Sequence, residues 1–156
     1  AEGTARLIGL GVRGRSLEVD WSHGARAYFG MTMTGYPNFF MLYGPNTNLG
    51  HNSIIFMIEA QVRYVIGCMR LLRARGADYL DVQPAAQAQF NARIQRALQG
   101  TVWSSGCRSW YQQADGRNFT IWPYSTWRYW LETRKVDAAQ YRFGQAQTRA
   151  AAKHED

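Results

Sequence analysis

Residues 35–61 read GYPNFFMLYGPNTNLGHNSIIFMIEAQ, a succession of an apolar run, a polar loop and a second apolar run. Residues 39–43 are continuously apolar and lie between turn formers, which predicts a strand buried on both faces. Strands of this kind belong to large sheets with layers on either side, so the rest of the sheet is expected elsewhere. Residues 27–32 are predicted to form another short strand.

The second apolar run predicts a long helix over about residues 53–75, buried on most sides in its first half. Gly76 suits the position just after the end of this helix. Asn52 or Ser53 would cap the first turn by accepting a hydrogen bond from a backbone N–H.

The loop at residues 44–52 precedes this helix and is the strongest candidate for a binding site. Free N–H groups at a helix N-terminus carry about half a positive charge and suit anionic or electron-rich ligand atoms. Plain capping of the helix explains the same loop equally well. The side chains that would add donors are Asn46, Asn48, His51 and Asn52.

The rest of the chain alternates short elements with aromatic residues. Residues 79–82 are predicted to form a strand, and a second helix is predicted over about residues 84–99, with Pro84 in its first turn. Residues 101–130 are dense in aromatic side chains and are expected to be largely irregular, with one short helix at residues 127–132. The last residues, 144–156, read as a frayed tail.

Composition limits the class of protein. The chain has 156 residues and a mass of 17.8 kDa, which suits one ordinary domain. Its longest apolar run is far below the roughly 20 residues that a membrane-spanning helix needs. The net charge of +7 suits an anionic partner such as nucleic acid, but the basic residues are dispersed arginines, which favours a solvated surface.

The two cysteines, Cys68 and Cys107, form neither a metal pattern nor a disulfide framework. Cys68 is expected to be a small buried side chain. This usage, with no visible secretory signal, predicts a reducing, cytoplasmic setting.

Other motifs carry little chemistry. Residues 9–14 match G-x-G-x-x-G, but they lack the strand, the helix and the acidic residue that a dinucleotide fingerprint requires. The three histidines have no ligand spacing, and no serine or cysteine has the partners of a nucleophilic triad. The aromatic residues would suit a stacking platform for sugars or bases, although packing onto neighbouring structure is the preferred interpretation.

The run at residues 35–61 resembles the C-terminal segment of flavin-dependent monooxygenases of the Baeyer–Villiger type, and within them the 4-hydroxyacetophenone monooxygenase-like subgroup. The similarity extends from about Gly14 to about Phe143. Further matching positions are Trp21 with Gly24 and residues 28–30, 100–103, 109–111, 116–118, 122–123 and 127–129.

This resemblance implies an α+β fragment of an α/β flavoprotein that has two dinucleotide-binding domains. FAD and NADPH would be held mainly by missing N-terminal domains, because the chain contains neither fingerprint nor the family's active-site arginine. The chain would be a single segment. Residues 27–76 would return as strand, loop and helix to the FAD domain, residues 77–143 would form a C-terminal α/β and aromatic region, and residues 144–156 would form the tail.

The resemblance also implies which residues meet the cofactors. The loop would contact the flavin, and the helix N-terminus would stabilise negative charge on the reduced ring. No catalytic residue and no metal ligand is expected in this chain. The implied cofactor-binding residues are Gly44, Pro45, Asn46, Asn48, Leu49, Gly50, His51 and Asn52, with Trp110 loosely matched to a tryptophan near the nicotinamide cofactor.

By the same resemblance, the whole enzyme would insert one oxygen atom from O2 into a ketone or a heteroatom substrate, and the chain alone is predicted to be inactive. Alone it would expose apolar surface from residues 39–43 and 54–66, which favours self-association. The alternatives are a stand-alone, aromatic-rich module that binds a sugar or lipid-like ligand and, with less support, a basic nucleic-acid binder. No membrane partner is expected.

Overall fold

The computed structural model describes residues 11–48, 53–99 and 118–146 of the chain. Within these ranges the helices are α1 (Leu17–Asp20), α2 (Ile54–Ala74), α3 (Pro84–Leu98) and α4 (Thr126–Thr133), with short 3-10 turns at Val12–Gly14 and Ala138–Gln140. The strands β1 (Tyr79–Val82) and β2 (Tyr141–Gly144) pair as a two-stranded antiparallel sheet. No helix in the described ranges has both the length and the hydropathy that crossing a membrane requires.

The long helix predicted from the sequence is confirmed as α2, and it ends as predicted. Gly76 has φ +58°, a left-handed conformation that glycine adopts without strain. Its N–H donates to the carbonyl of Arg73 at 3.0 Å, and the N–H of Ala77 donates to the carbonyl of Leu72 at 3.2 Å. These are the two hydrogen bonds of a Schellman motif, so the end of α2 is determined by local sequence.

The predicted capping of α2 by Asn52 or Ser53 stays a prediction. Ser53 occupies the N-cap position, but its side chain makes no capping hydrogen bond; Asn52 lies outside the described residues. The prediction that the first half of α2 is buried on most sides is wrong. One face is buried, and the opposite face carries exposed apolar side chains. The buried residues are Met57, Ala60, Gln61, Tyr64 and Cys68; the exposed ones are Ile55, Val62, Ile66 and Met69.

The physical reason is that nothing in the described part of the chain covers the second face of α2. Ile55, Val62, Ile66 and Met69 recur at helical spacing, so they form one stripe along the helix axis. A helix that is apolar on two opposite faces has the pattern of an element sandwiched between two layers, and the described residues supply only one of those layers.

The strands predicted at residues 27–32 and 39–43 are wrong. Residues 28–32 form a tight turn closed by one bridge between Tyr28 and Thr32, with Phe29 at φ +51°. Residues 39–43 have no ladder partner within the described ranges, and none of the five side chains is fully buried. Left-handed residues stand at both ends of this segment, Asn38 at φ +56° and Tyr43 at φ +57°, and they turn the backbone away from an extended path.

The remaining elements follow the sequence prediction more closely. α3 begins at Pro84 and buries Phe90, Ile94 and Leu98 on one side, as its periodicity predicts. β1 pairs with β2, so that Val82 faces Tyr141 and Tyr79 faces Gly144. Gly144, the residue at which the tail was predicted to begin, is the last residue of β2; residues 147–156 lie outside the described ranges.

Aromatic side chains fill the main core. Phe29 contacts Phe90 with ring centroids 4.7 Å apart, and Trp122 contacts Tyr129 edge to face at 5.0 Å. The short helix predicted at residues 127–132 is confirmed as α4, which brings Tyr129 into this core beside α2. A smaller core beside α1 is formed by Leu17, Met33 and Tyr36.

Candidate functional site

The loop after residue 43 is anchored to the segment before α4. The N–H of Asn46 donates to the carbonyl of Phe119 at 2.8 Å, and the N–H of Asn48 donates to that of Thr120 at 2.9 Å. The carbonyl of Asn48 accepts from the N–H of Trp122 at 2.9 Å, which completes a short parallel bridge. The two segments, whose bonded residues lie 72 to 74 positions apart in sequence, are therefore held together by backbone hydrogen bonds.

The side chain of Asn46 strengthens this anchor. It is 2% exposed, and its Nδ2 donates to the carbonyls of Asn118 and Ile121, both at 3.0 Å. Asn46 also has φ +58°, which asparagine tolerates better than most residues with a Cβ. Its amide N–H groups are therefore committed inside the protein, and its role in this structure is to hold the loop.

A cleft of about 450 Å3 opens beside this loop. Its walls are mainly apolar, and its polar groups lie along the loop edge. The hydroxyl of Tyr43 donates to Oδ1 of Asn48 at 2.6 Å, which joins two of the lining residues. The lining residues are Trp21, Ala25, Met41, Leu42, Tyr43, Gly44, Pro45, Asn48, Phe119 and Thr120.

Three residues of the predicted cofactor-binding set, Gly44, Pro45 and Asn48, line this cleft together. Asn46 does not line it, because its side chain points into the anchor. The others, Leu49, Gly50, His51, Asn52 and Trp110, lie outside the described residues.

Sequence reasoning missed several lining residues. Phe119 and Thr120 come from a distant segment that no local pattern connects with residue 48. Trp21 is one of the positions that match the family in the sequence analysis, and that match is the sequence signal that could have identified it as a lining residue. Leu42 and Tyr43 belong to the segment predicted as a buried strand, whereas they line the cleft and are 48% and 39% exposed.

The described lining residues of this cleft are all uncharged. Among its described lining residues there is no carboxylate, imidazole, amine or thiol. No group of histidine, cysteine, aspartate or glutamate side chains within the described ranges could hold a metal ion. The described lining therefore offers apolar walls, backbone groups, one side-chain amide and the hydroxyls of Tyr43 and Thr120 to a ligand.

A second cleft, of about 490 Å3, lies beside α3 and α4 and contains an ion pair. Arg93 donates to both carboxylate oxygens of Glu132, at 2.9 and 2.6 Å, and Arg128 donates to Oε1 of the same residue at 2.8 Å. Burial alone would raise the pKa of Glu132, but the hydrogen bonds from the two arginines outweigh it and hold the pKa below its usual value. The carboxylate is compensated by two arginines, and its bond to Arg93 links α4 to α3.

Buried hydroxyl and thiol groups lie in the main core. The hydroxyls of Tyr64 and Tyr141 are 3.0 Å apart, and that of Tyr141 is 3.3 Å from Oγ1 of Thr32. Burial raises the pKa of the Tyr64 phenol well above its usual value, and it raises the pKa of the Cys68 thiol to about 12. These groups stay protonated near neutral pH and act as hydrogen-bonding core residues.

Comparisons with known proteins agree on one class. No protein-family model matches the chain. The chain is 46% identical over 138 residues to a Baeyer–Villiger monooxygenase of Pseudomonas aeruginosa, covering 87% of this chain and 26% of that protein. It is 45% identical over 141 residues to an FAD-binding monooxygenase of Aspergillus niger, covering 87% of this chain and 23% of the relative.

The fold of the chain is also similar to that of a solved monooxygenase structure. An oxidised steroid monooxygenase bound to NADP superposes with a TM-score of 0.76 at 26% identity, and the match covers 88% of this chain and 26% of that one. The chain thus spans about a quarter of the length of the relatives that it matches.

Proposed function

Because the chain is similar in sequence and in fold to about one quarter of a Baeyer–Villiger monooxygenase, we propose that it is the C-terminal part of an FAD- and NADPH-dependent monooxygenase. The whole enzyme would insert one oxygen atom from O2 into a ketone or a heteroatom substrate, in the cytoplasm. The observation that carries this proposal is the 46% identity over 138 residues to the Pseudomonas aeruginosa relative. The other three quarters of the enzyme would hold most of FAD and NADPH.

Within that enzyme, the chain would form one wall of the flavin site, and the cleft beside residues 43–48 fits this role. A flavin ring is flat and aromatic, with its polar groups along one edge. The cleft has Trp21, Met41 and Phe119 in its apolar walls and the amide of Asn48 at its loop edge. Its volume of about 450 Å3 suits a ring system, so the dinucleotide remainder of FAD would lie against the missing domains.

When bound, FAD supplies the oxygen-activating chemistry of this enzyme class. The residues of this chain would bind and orient the ring: Gly44 and Pro45 by close backbone approach, and Asn48 through its side-chain amide. Trp21 and Phe119 would exclude water from the ring face. Asn46 would act indirectly, by holding the loop through its bonds to Asn118 and Ile121.

The other predicted contacts remain part of this proposal. The N-terminus of α2, which follows residues 49–52, would stabilise negative charge on the reduced ring through its free N–H groups. Leu49, Gly50, His51 and Asn52 would contact the flavin, and Trp110 would lie near NADPH.

A chimera tests the proposal directly. The matched segment of the Pseudomonas aeruginosa relative would be replaced by this chain, and the purified chimera would be assayed for bound FAD and for NADPH oxidation. We expect the chimera to bind FAD and to oxidise NADPH. A second chimera carrying Asn48→Ala is expected to bind FAD about tenfold more weakly, because it loses a side-chain hydrogen bond at the ring edge.

A matched control variant makes this result interpretable. Asn91→Ala removes a side-chain amide from α3, where Asn91 donates to the carbonyls of Ala27 and Gln87, away from the cleft. It is expected to leave FAD affinity unchanged. A chimera that folds, as judged by circular dichroism, but binds no FAD would contradict the proposed flavin wall.

A further inference from the structure

A buried amide in the middle of α2 links three other parts of the protein. Gln61 is fully buried, and its Oε1 accepts from the backbone N–H of Tyr43 at 2.8 Å. Its Nε2 donates to the hydroxyl of Tyr129 at 3.0 Å. That hydroxyl in turn donates to the carbonyl of Phe29 at 2.6 Å. Three consecutive hydrogen bonds therefore connect the cleft loop, α2, α4 and the turn at residues 28–32.

We propose that Gln61 is a positioning residue for the cleft, which holds the backbone at Tyr43 and thereby sets the position of the lining residues that follow it. The inference rests on the proposed function only in taking the flavin as the ligand. Gln61 itself does not line the cleft, so its effect on a ligand is transmitted through the loop.

The conformation of Tyr43 is the first reason for this role. Its φ of +57° is unfavourable for a residue with a Cβ, so it needs a specific contact to persist. The hydrogen bond to Gln61 supplies that contact from inside the core. The phenol of Tyr43 then reaches Oδ1 of Asn48 at 2.6 Å, so the position of Tyr43 affects the polar edge of the cleft.

The other end of this relay, the series of three hydrogen bonds from Tyr43 through Gln61 and Tyr129 to Phe29, acts on the same region. The carbonyl of Phe29, which accepts from Tyr129, precedes Gly30, and Gly30 lies against Pro45 and Thr47 of the loop. The relay thus holds both the loop and the turn on which the loop rests. An apolar side chain at position 61 would fill the same space but would leave the Tyr43 N–H without its acceptor.

Gln61→Met tests the proposal, with Tyr64→Phe as the matched control. Both substitutions remove buried polar groups from the same face of α2, but the Tyr64 hydroxyl bonds to Tyr141, not to the loop. Deuterium uptake would be measured by mass spectrometry on the 156-residue chain, for peptides covering residues 41–48 and residues 57–64. FAD affinity would be measured in the chimera carrying the same substitutions.

For Gln61→Met we expect roughly tenfold faster uptake at residues 41–48 and roughly tenfold weaker FAD binding. Tyr64→Phe is expected to lower the unfolding midpoint while leaving both readouts unchanged. Unchanged uptake in Gln61→Met, or equal changes in the two variants, would overturn the proposal. If the unsubstituted chimera binds no FAD, the flavin assignment fails, and the uptake comparison still decides whether Gln61 positions the loop.

Discussion

The backbone of Gly44 lies directly against the carbonyl oxygen of Gly30, at a separation that leaves no room for a side chain at position 44. A Cβ there would also come within 2.6 Å of the Met41 sulphur. From the other side, a Cβ at Gly30 would overlap the Thr47 methyl group and lie 2.8 Å from the carbonyl oxygen of Pro45. The turn and the cleft loop therefore meet backbone to backbone, which requires glycine on both sides.

This contact predicts that Gly30→Ala is more destabilising than a glycine substitution that only imposes left-handed strain. Gly76 provides the matched control, because its φ of +58° resembles the +67° of Gly30 but nothing lies within 4 Å of its added Cβ. We expect Gly76→Ala to lower the free energy of unfolding by about 1–2 kcal/mol. Gly30→Ala adds overpacking of about 1–3 kcal/mol, measured by chemical denaturation. Equal losses in the two variants would contradict the close contact.

Local signals in the sequence were sufficient for α2, α3 and α4 and for the strand β1. Apolar spacing and Gly76 predicted α2 and its end, and Pro84 predicted the start of α3, because caps and helical periodicity are properties of a few consecutive residues. The apolar run at residues 39–43 was misleading for the same reason. Its hydrophobicity indicates a tendency to pack against other residues but does not determine the backbone conformation. That conformation depends on left-handed residues at Asn38 and Tyr43, which no periodicity in the sequence reveals.

The cleft was predictable only along its own loop. Gly44, Pro45 and Asn48 stand in one run of turn formers and amides, so the sequence identified them together. Phe119 and Thr120 reach the cleft through backbone hydrogen bonds across more than 70 residues, and such pairing leaves no local trace. Asn46 was predicted to donate to a ligand because it lies in the same run of side-chain amides as Asn48. In the structure its side chain is buried, and its amide donates to the carbonyls of Asn118 and Ile121.

The ion pair of Glu132 with Arg93 and Arg128 predicts a loss of stability in acid. The pKa of Glu132 in the folded chain is below the ordinary value of 4.5, so the ionised carboxylate stabilises the fold at pH values above about 4.5. That contribution is lost as the pH falls through the lowered pKa. We therefore expect Glu132→Gln to reduce the difference between denaturation midpoints at pH 7 and pH 3.

Glu18→Gln is the control for this experiment. Glu18 is exposed and belongs to none of the ion pairs formed among the described residues. Its substitution is expected to leave the pH dependence of the midpoint unchanged. An equal effect of the two substitutions would show that the Glu132 pair does not contribute to acid stability.

Cys68 is predicted to be unreactive while the chain is folded. Burial raises its pKa to about 12, compared with the ordinary value of 9.0, so its thiolate fraction at pH 8 is lowered roughly a thousandfold. Iodoacetamide labelling at pH 8, mapped by peptide mass for each cysteine separately, should modify Cys68 only after denaturant is added. Rapid labelling of Cys68 in the folded chain would mean that the core around it opens readily.

The exposed stripe on α2 predicts concentration-dependent self-association of the isolated chain. Ile55 is 68% exposed and Met69 is 55% exposed, and the stripe between them runs about 21 Å along the helix. Apolar surface of this extent is normally covered in a folded protein. Each copy carries a net charge of +7, which opposes association at low salt. Sedimentation velocity should therefore show larger species as protein concentration rises, and more of them when salt screens the charge.

Neutral substitutions separate this apolar contribution from charge. Ile55→Gln with Ile66→Gln removes apolar area from the stripe without altering the net charge, and it should shift the chain toward the monomer at every salt concentration. Ala88→Gln, on an exposed position of α3, is the control and should leave the distribution unchanged. If the double variant associates as strongly as the parent chain, another surface is responsible. A monomeric parent chain at high protein and salt concentrations would show that exposing this stripe is not enough to drive association.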